Sequence, residues 1–518
     1  MKMAEAQSGQ PFSLPLPRRG YGIGIVLAIF VCLITGANWQ AGLTITLVLA
    51  YMVLSSMQLE WGIYAILVFA VLFIDGWAPN RAPEDVPFRL GIARIYIVEF
   101  AVYGLLAIYL VKRAFGNNVK TGRSMFVPTP LDTPLKVFAM LLPTFAIYGL
   151  ANGNSLQDSF GYFEWRSLFL AIPFFYLVTT LFDTRLKIMR LATWVFGLIA
   201  IKGAYYLLID LFQAKYPLPN IIGAGPMDEG PENVMFVFAA LAAVSFLIFR
   251  FKKNWWVQFV VFVAVIVLLA NLLLSTKRSA QLGFAIGFIF LFWRLPARQK
   301  LKLSGRIGAV LLAVLLVFGI FQINSSKTGI EQSASRYDEI FEFIQEPASM
   351  LTSNGTLAFH LMDLLDAGNL IIQRPLLGYG FGSHYDRQLT LLEGVGGEGA
   401  GLDPGLVHNL YLHIWWKSGI LGLAIFCWLL ICIFRFGANA ICRVPFSESH
   451  AVALGLYSAL WGDLAMEFWG PQWFSSTKVS LVIFFSLALM IRLVQVGGKD
   501  STISQESSTA KGTYCERS

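Results

Sequence analysis

The sequence has few charged residues for its length. Only 14% of the 518 residues are Asp, Glu, Lys or Arg, whereas 56% are hydrophobic. A soluble globular protein of this size needs more polar surface, so the composition excludes that class and indicates a protein surrounded by lipid. Long apolar runs recur from Tyr21 to Val494. These continuous runs also exclude a porin-like barrel, whose strands alternate apolar and polar residues.

Cysteine and histidine are scarce as well, with five residues of each. The cysteines lie in apolar runs, in one short basic loop or in the tail, without a metal-like spacing outside the membrane. His360, His384 and His413 form no pair with a metal-ligand spacing on one helix face, and we interpret them as structural or loop residues. The sequence therefore predicts neither disulfides, nor a metal, nor a cofactor.

The net charge of +8 does not indicate a nucleic-acid partner, because the basic residues form short clusters between apolar runs. We predict an all-α, polytopic transmembrane bundle of about 12–14 spans, since each span needs about 20 apolar residues. The predicted spans lie near residues 21–36, 40–56, 60–76, 92–111, 134–151, 165–182, 188–212, 233–250, 255–275, 279–294, 307–323, 408–434, 449–469 and 474–494.

The basic clusters fall on alternate loops and predict the orientation of the bundle. By the positive-inside rule these loops, and both termini, are cytoplasmic. The first apolar run has no cleavage site and is expected to be a retained span. The predicted organisation is a cytoplasmic tail, an N-terminal bundle, a large outer loop, the last spans and a disordered cytoplasmic tail, at residues 1–20, 21–323, 324–407, 408–494 and 495–518.

The outer loop is long enough to carry function. Residues 335–344 and 356–372 have the apolar periodicity of amphipathic helices, the second through Leu357, His360, Leu361, Leu364 and Leu365. A glycine-rich stretch, Gly394 to Gly405, suits either a plain connector or a moving lid.

Three short motifs flank this loop. Ser275-Thr276-Lys277-Arg278-Ser279 puts two cations at the outer ends of two spans, against the charge rule of the other loops. Pro375-Leu376-Leu377-Gly378-Tyr379-Gly380-Phe381-Gly382 is a turn whose glycines allow close approach to a ligand or to a neighbouring helix. His408-Asn409-Leu410-Tyr411-Leu412 opens a late span at its outer end.

In order, spacing and sidedness these motifs resemble the O-antigen ligase and polysaccharide polymerase superfamily, over roughly Val260 to Ile433. The resemblance implies a GT-C-like enzyme of the bacterial inner membrane. It implies metal-independent, inverting transfer of a glycan from an undecaprenyl pyrophosphate carrier to a periplasmic acceptor. A ligase would transfer to lipid A core and a polymerase to another lipid-linked glycan, which leaves lipopolysaccharide or exopolysaccharide synthesis open.

The residue types suit that chemistry. Arginine binds phosphate in bidentate fashion and remains charged, so Arg278 is the first candidate for the pyrophosphate, ahead of Arg166 and Arg374. Histidine accepts a proton near neutral pH, which makes His408 the candidate base. Asp463 and Glu467, four residues apart on one helix face inside a span, are candidates for binding the acceptor or orienting the histidine.

Each candidate also has a structural interpretation. Arg278 could be a snorkelling interfacial cation, His408 a helix-start residue, and Arg374 a cap of the turn before Pro375. Asp463 or Glu467 could pair with Lys417 or Lys478. Buried pairing or a polar cavity is the preferred interpretation of Glu99, Lys202 and Asp210, ahead of catalysis.

Two functions from other classes compete with the transferase. A transporter or flippase of lipid-linked glycans would also have many spans and intramembrane charges. Such proteins often have matched halves with interrupted helices, and the sequence contains no such repeat. A membrane scaffold without catalysis would not need Arg278 and His408 at the same interface.

Overall fold

A computed structural model describes residues 39–72, 89–90, 95–115, 125–160, 165–212, 230–249, 255–275, 277–297, 299–300, 356–384, 406–441 and 447–505. Within these residues the protein is helical, apart from one short antiparallel pair of strands, β1 (Arg89–Leu90) and β2 (Ile95–Tyr96). The predicted all-α bundle is therefore confirmed.

The helices follow in chain order. They are α1 (Trp39–Met57), α2 (Leu59–Leu72), α3 (Ile97–Phe115), α4 (Asp132–Ala151), α5 (Leu156–Ser159), α6 (Ser167–Leu181), α7 (Arg185–Phe212), α8 (Gly230–Phe249), α9 (Trp255–Leu274), α10 (Arg278–Arg294), α11 (Thr356–Gln373), α12 (Leu410–Ile441), α13 (Glu448–Met466), α14 (Gln472–Ser475) and α15 (Thr477–Gln505).

The predicted spans can be compared with these helices directly. The spans near 21–36 and 307–323 lie outside the described residues, as do the predicted helix 335–344 and the stretch 394–405. Every other predicted span overlaps a helix, and the predicted helix 356–372 is α11. Among the described helices, six are long and apolar enough to cross a membrane, and several shorter ones are apolar. The chain is a multi-pass membrane protein.

The C-terminal helix is longer than the sequence predicts. α15 ends at Gln505, so residues 495–505 are helical where a disordered tail is expected from 495. Extending a helix that already exists costs little, because each added residue gains a hydrogen bond. Residues 506–518 lie outside the described part.

The centre of the bundle consists of α8, α13 and α15. The apolar windows of α8 and α15 are 78% and 83% buried, whereas that of α9 is 28% buried and therefore faces lipid. Small residues bring these helices close together, as they commonly do in membranes. A Cβ placed at Gly455 of α13 would lie 2.6 Å from the Ala242 Cα of α8.

Helices α10 and α13 pack against each other in antiparallel fashion. A Cβ at Gly462 would lie 2.2 Å from the Gly283 carbonyl oxygen, and a Cβ at Gly287 would lie 2.8 Å from the Ser458 carbonyl oxygen. Residue numbers thus rise along α10 as they fall along α13. The first residue of α10, Arg278, therefore lies at the same end of the bundle as Met466, where α13 ends.

Basic residues meet at the opposite end of the bundle. Lys187 forms ion pairs with Glu60 at 2.8 Å and with Asp183 at 3.0 Å. Arg492 donates from Nε to the Phe182 carbonyl at 3.1 Å. The structure thus gathers these cations from distant parts of the sequence, and their cytoplasmic placement remains a prediction.

Candidate functional site

Helix α12 is interrupted near the candidate site. Gly419 has φ 64° and ψ −172°, which breaks the helical hydrogen bonding around it. The segment of residues 375–383, which precedes α12 in the chain, replaces the lost bonds. Tyr379 N–H donates to the Trp416 carbonyl at 3.0 Å, and Gly380 N–H donates to the Lys417 carbonyl at 2.8 Å. A broken helix is tolerated at membrane depth only when its backbone groups find such partners.

The three glycines of that segment have φ values of 65°, 81° and 84°. A Cβ at Gly378 would lie 2.4 Å from the Trp416 carbonyl oxygen, and one at Gly380 would lie 2.3 Å from the Gly149 Cα of α4. One at Gly382 would lie 2.3 Å from the backbone nitrogen of Ser159. Of the two alternatives, the structure supports close approach to neighbouring helices.

His408 is held where α12 begins, beside the end of α13. The Asn409 side chain accepts from Tyr411 and Leu412 N–H, both at 3.0 Å, and so caps α12. Leu410 N–H donates to the Glu467 carbonyl at 2.9 Å. These bonds fix His408 against the carboxyl end of α13, and its ring remains 16% exposed.

The partner of His408 is Asp363, which the sequence analysis missed. Its Oδ2 accepts the His408 backbone N–H at 2.6 Å and lies 3.2 Å from ring Nδ1. Asp363 shares the buried face of α11 with Ala367 and Ile371, whereas Leu365 is 60% exposed. The sequence offered one sign of this role: Asp363 stands four residues before Ala367 and so lies on the same helix face. The leucine periodicity instead predicts that a different face of α11 is buried.

Asp463 and Glu467 are fully buried next to Trp473. Asp463 Oδ2 accepts from Trp473 Nε1 at 2.7 Å, and Glu467 Oε2 lies 3.5 Å from the Trp473 backbone nitrogen, which donates to it. Asp463 Oδ1 and Glu467 Oε1 have no hydrogen-bond partner among the described residues. Each carboxyl group therefore retains one oxygen that can accept a further hydrogen bond.

The alternative interpretation, in which Asp463 or Glu467 pairs with Lys417 or Lys478, is not supported by the contacts of the two lysines. Lys417 Nζ donates to the Ser383 carbonyl at 2.7 Å. Lys478 pairs with Glu232, which also pairs with Lys202 at 2.9 Å. Both lysines instead contact other oxygen acceptors, because a buried ammonium group requires a close partner.

Arg166 is engaged by Glu99. Its Nε and Nη2 donate to Glu99 Oε1 and Oε2 at 3.0 and 2.5 Å in a bidentate pair. The next residue, Ser167, donates from Oγ to the Phe474 carbonyl at 2.8 Å, which connects Arg166 to the segment carrying Trp473. Buried pairing is thus confirmed for Glu99 and, through Glu232, for Lys202; the Asp210 side chain lies outside the described part.

The other two candidate arginines are exposed. Arg374 donates to the Asn152 side chain at 3.3 Å, and its guanidinium lies 4.7 Å from the Tyr379 ring centroid. Its carbonyl accepts from Gly378 N–H at 3.1 Å, which supports the interpretation of Arg374 as a turn residue. Arg278 lies at the end of the bundle that carries Glu467 and His408.

The remaining histidines have separate environments. His413 is fully buried, and its Nδ1 accepts from the Val407 N–H at 3.5 Å. His384 Nε2 lies 3.4 Å from Asp158 Oδ2, with both side chains about 40% exposed. The His360 side chain lies outside the described part. These placements agree with structural or loop roles for His413 and His384.

The fold and this site define a class of protein: a multi-pass helical membrane protein whose candidate residues gather at one end of the bundle. Residues 263–427 match the family model described as O-antigen ligase. An O-antigen ligase of Salmonella typhimurium strain LT2 is 29% identical over 223 residues, which are 41% of this chain and 47% of that protein. The chain thus spans about half the length of this curated relative.

Over residues 263–427 the chain is therefore similar to the O-antigen ligase superfamily, as its motifs predict, and that family is one of membrane glycosyltransferase-type enzymes. The matched residues 263–427 include Arg278, Arg374 and His408, together with Asp363. Arg166, Asp463 and Glu467 lie outside the match and join the site only through the fold.

Proposed function

We propose that this protein is an inverting, metal-independent glycosyltransferase. It would move a glycan from an undecaprenyl pyrophosphate-linked donor to an acceptor on the periplasmic face of the bacterial inner membrane. The observation that carries the proposal is the family match, which contains both Arg278 and His408. The positions of these residues at one end of the bundle support it.

The reaction needs a leaving group and a base. The acceptor oxygen attacks the anomeric carbon from the side opposite the pyrophosphate, the bond from that carbon to the phosphate oxygen breaks, and undecaprenyl pyrophosphate leaves. Arg278 neutralises the charge that develops on the phosphates, and the N-terminus of α10, which the residue begins, adds a positive dipole. His408 takes the proton of the acceptor hydroxyl.

The other candidates have supporting roles in this proposal. The unpartnered oxygens of Asp463 and Glu467 can accept hydrogen bonds from acceptor hydroxyl groups. Arg166, fixed by Glu99 and 20% exposed, and the exposed Arg374 add positive charge for the pyrophosphate. Because the arginines neutralise the phosphates, the reaction does not require a metal ion.

The orientation follows the basic loops, with both termini in the cytoplasm and residues 324–407 outside. The acceptor remains open between lipid A core, for a ligase, and another lipid-linked glycan, for a polymerase. A flippase is the alternative function. Transporters often have a matched pair of interrupted helices, whereas α12 alone carries a non-helical break among the described helices.

The test is glycan transfer by the purified full-length protein from an undecaprenyl pyrophosphate-linked donor, with and without a chelator. His408→Ala should lower the rate by about 10²-fold or more, as expected for loss of a base. Arg278→Ala should lower it by a similar factor, as for loss of a charge-stabilising donor. The chelator should leave the unaltered protein active.

Two variants serve as matched controls. His384→Ala removes an exposed histidine that contacts Asp158, and Arg185→Ala removes an exposed arginine at the start of α7. Both should transfer at the unaltered rate. Full activity of His408→Ala or Arg278→Ala would remove that residue from the site. No transfer to either class of acceptor, together with movement of the lipid-linked glycan across vesicles, would favour the flippase.

A further inference from the structure

The contact between Asp363 and His408 goes beyond a helix cap. One carboxylate oxygen, Oδ2, is 2.6 Å from the His408 backbone nitrogen and 3.2 Å from its ring Nδ1. The Asp363 side chain is completely buried, whereas the ring of His408 remains partly exposed. Asp363 therefore contacts the Nδ1 edge of the ring.

The chemistry of this oxygen determines the direction of the second hydrogen bond. Oδ2 accepts the backbone N–H, which shows that it acts as an acceptor. An ionised carboxylate has no proton to donate, so an ionised Asp363 requires ring Nδ1 to carry the hydrogen and donate it. In a neutral imidazole this leaves Nε2 with a lone pair.

We infer that Asp363 is a positioning residue that holds His408 as the Nδ1–H tautomer, with Nε2 directed to the acceptor hydroxyl. This inference rests on the proposed function. When Nε2 takes the hydroxyl proton, the ring becomes a cation and the Asp363 carboxylate balances its charge. The proton stays on Nε2, and Asp363 remains ionised throughout.

The packing of α11 keeps Asp363 in register with His408. Ala367 and Ile371, one and two turns further along α11, are buried against Val407 and Trp416. The Trp415 indole donates to the Pro375 carbonyl at 3.1 Å and ties the end of α11 to α12. The Asp363 carboxylate is thus positioned by contacts of α11 with Val407, just before His408, and with Trp415 and Trp416, just after it.

The ring tautomer can be measured in the unaltered protein. Solid-state NMR of the full chain labelled with ¹⁵N-histidine contains signals from only five histidines. The His408 signals are those that disappear in His408→Gln. We expect a protonated Nδ1 and an unprotonated Nε2. The opposite tautomer would overturn the inference whatever the activity of the protein.

A double-mutant cycle tests the function of the contact. Asp363→Asn keeps the size of the side chain and should lower kcat of glycan transfer by about 10²-fold or more with little change in KM, because only the state of the base changes. Asp363→Glu should recover part of the loss. In the His408→Gln background Asp363→Asn should have no further effect, because it acts through that ring.

The control is Asp158→Asn, which alters the exposed contact with His384 and should leave kcat unchanged. Unaltered kcat in Asp363→Asn would overturn the inference, as would losses that multiply in the double variant, since a merely structural role gives independent effects. Full activity of His408→Gln would remove His408 as the base, whereas absence of glycan transfer by the unaltered protein would overturn the proposed function. The two failures are therefore distinguishable.

Discussion

At the scale of single residues, Arg166 and Glu99 depend on each other. Arg166→Gln would remove the bidentate partner of the buried Glu99 carboxylate, and we expect a loss of about 3 kcal/mol in the free energy of unfolding. The double variant Glu99→Gln/Arg166→Gln should recover most of that loss. Thermal unfolding in detergent measures the stability of the single and of the double variant. Equal destabilisation of the single and double variants would contradict mutual compensation.

The double variant of Glu99 and Arg166 can separate an effect on stability from an effect on substrate binding. If Arg166 also contacts pyrophosphate, the double variant should be folded and still transfer glycan more slowly, with the deficit in KM for the donor. Steady-state kinetics over a range of donor concentrations measure this. An unchanged KM would assign Arg166 to the structure alone.

Sequence reasoning selected single residues from a motif or from a charge within a predicted span, but it did not find the partners of those residues. Arg278 and His408 stand in short, ordered motifs, and their common end of the bundle agrees with the pattern of spans. Asp363 lies 45 residues before His408, and Glu99 lies 67 residues before Arg166. Those partners are created by packing between helices, which apolar periodicity does not reveal.

At the scale of elements, the segment of residues 375–383 should not tolerate a side chain at Gly380. Gly380→Ala places a Cβ 2.3 Å from Gly149 Cα at φ 81°, and overpacking with a strained backbone costs about 2 kcal/mol or more. We expect a lower unfolding temperature and faster proteolysis of the outer loop. An unfolding temperature equal to that of the unaltered protein would disprove the close packing.

Gly368→Ala is the matched control for that substitution. Gly368 lies within α11, and a Cβ there has nothing within 4 Å. Since alanine favours a helix by up to about 1 kcal/mol relative to glycine, this variant should be as stable as the unaltered protein or more so.

The helices themselves were largely predictable, because lipid requires long apolar runs and such runs are visible in the sequence. The interruption of α12 was not. Ile420 and Leu421 continue the apolar run across Gly419, so hydropathy alone indicates an unbroken span. Only the backbone bonds to Pro375, Tyr379 and Gly380 reveal that a second segment completes the helix.

At the scale of the whole molecule, the two ends of the bundle should face opposite sides of the membrane. In a cysteine-free background, His384→Cys lies at the end of the bundle that carries the candidate site, outside the site itself, and Arg185→Cys lies at the basic end, both at exposed positions. A membrane-impermeant maleimide should label Cys at 384 in spheroplasts and Cys at 185 only after lysis. The reverse pattern would invert the proposed orientation.

The docked segment also has a consequence for biosynthesis. Residues 375–383 are synthesised before α12, and they contact α4, which is made more than 200 residues earlier: Phe381 N–H donates to the Phe145 carbonyl at 3.1 Å. This segment supplies hydrogen-bond partners for backbone groups of α12 on both sides of Gly419. The final shape of α12 therefore depends on a segment that is made before it, so folding of α12 is coupled to its packing within the bundle.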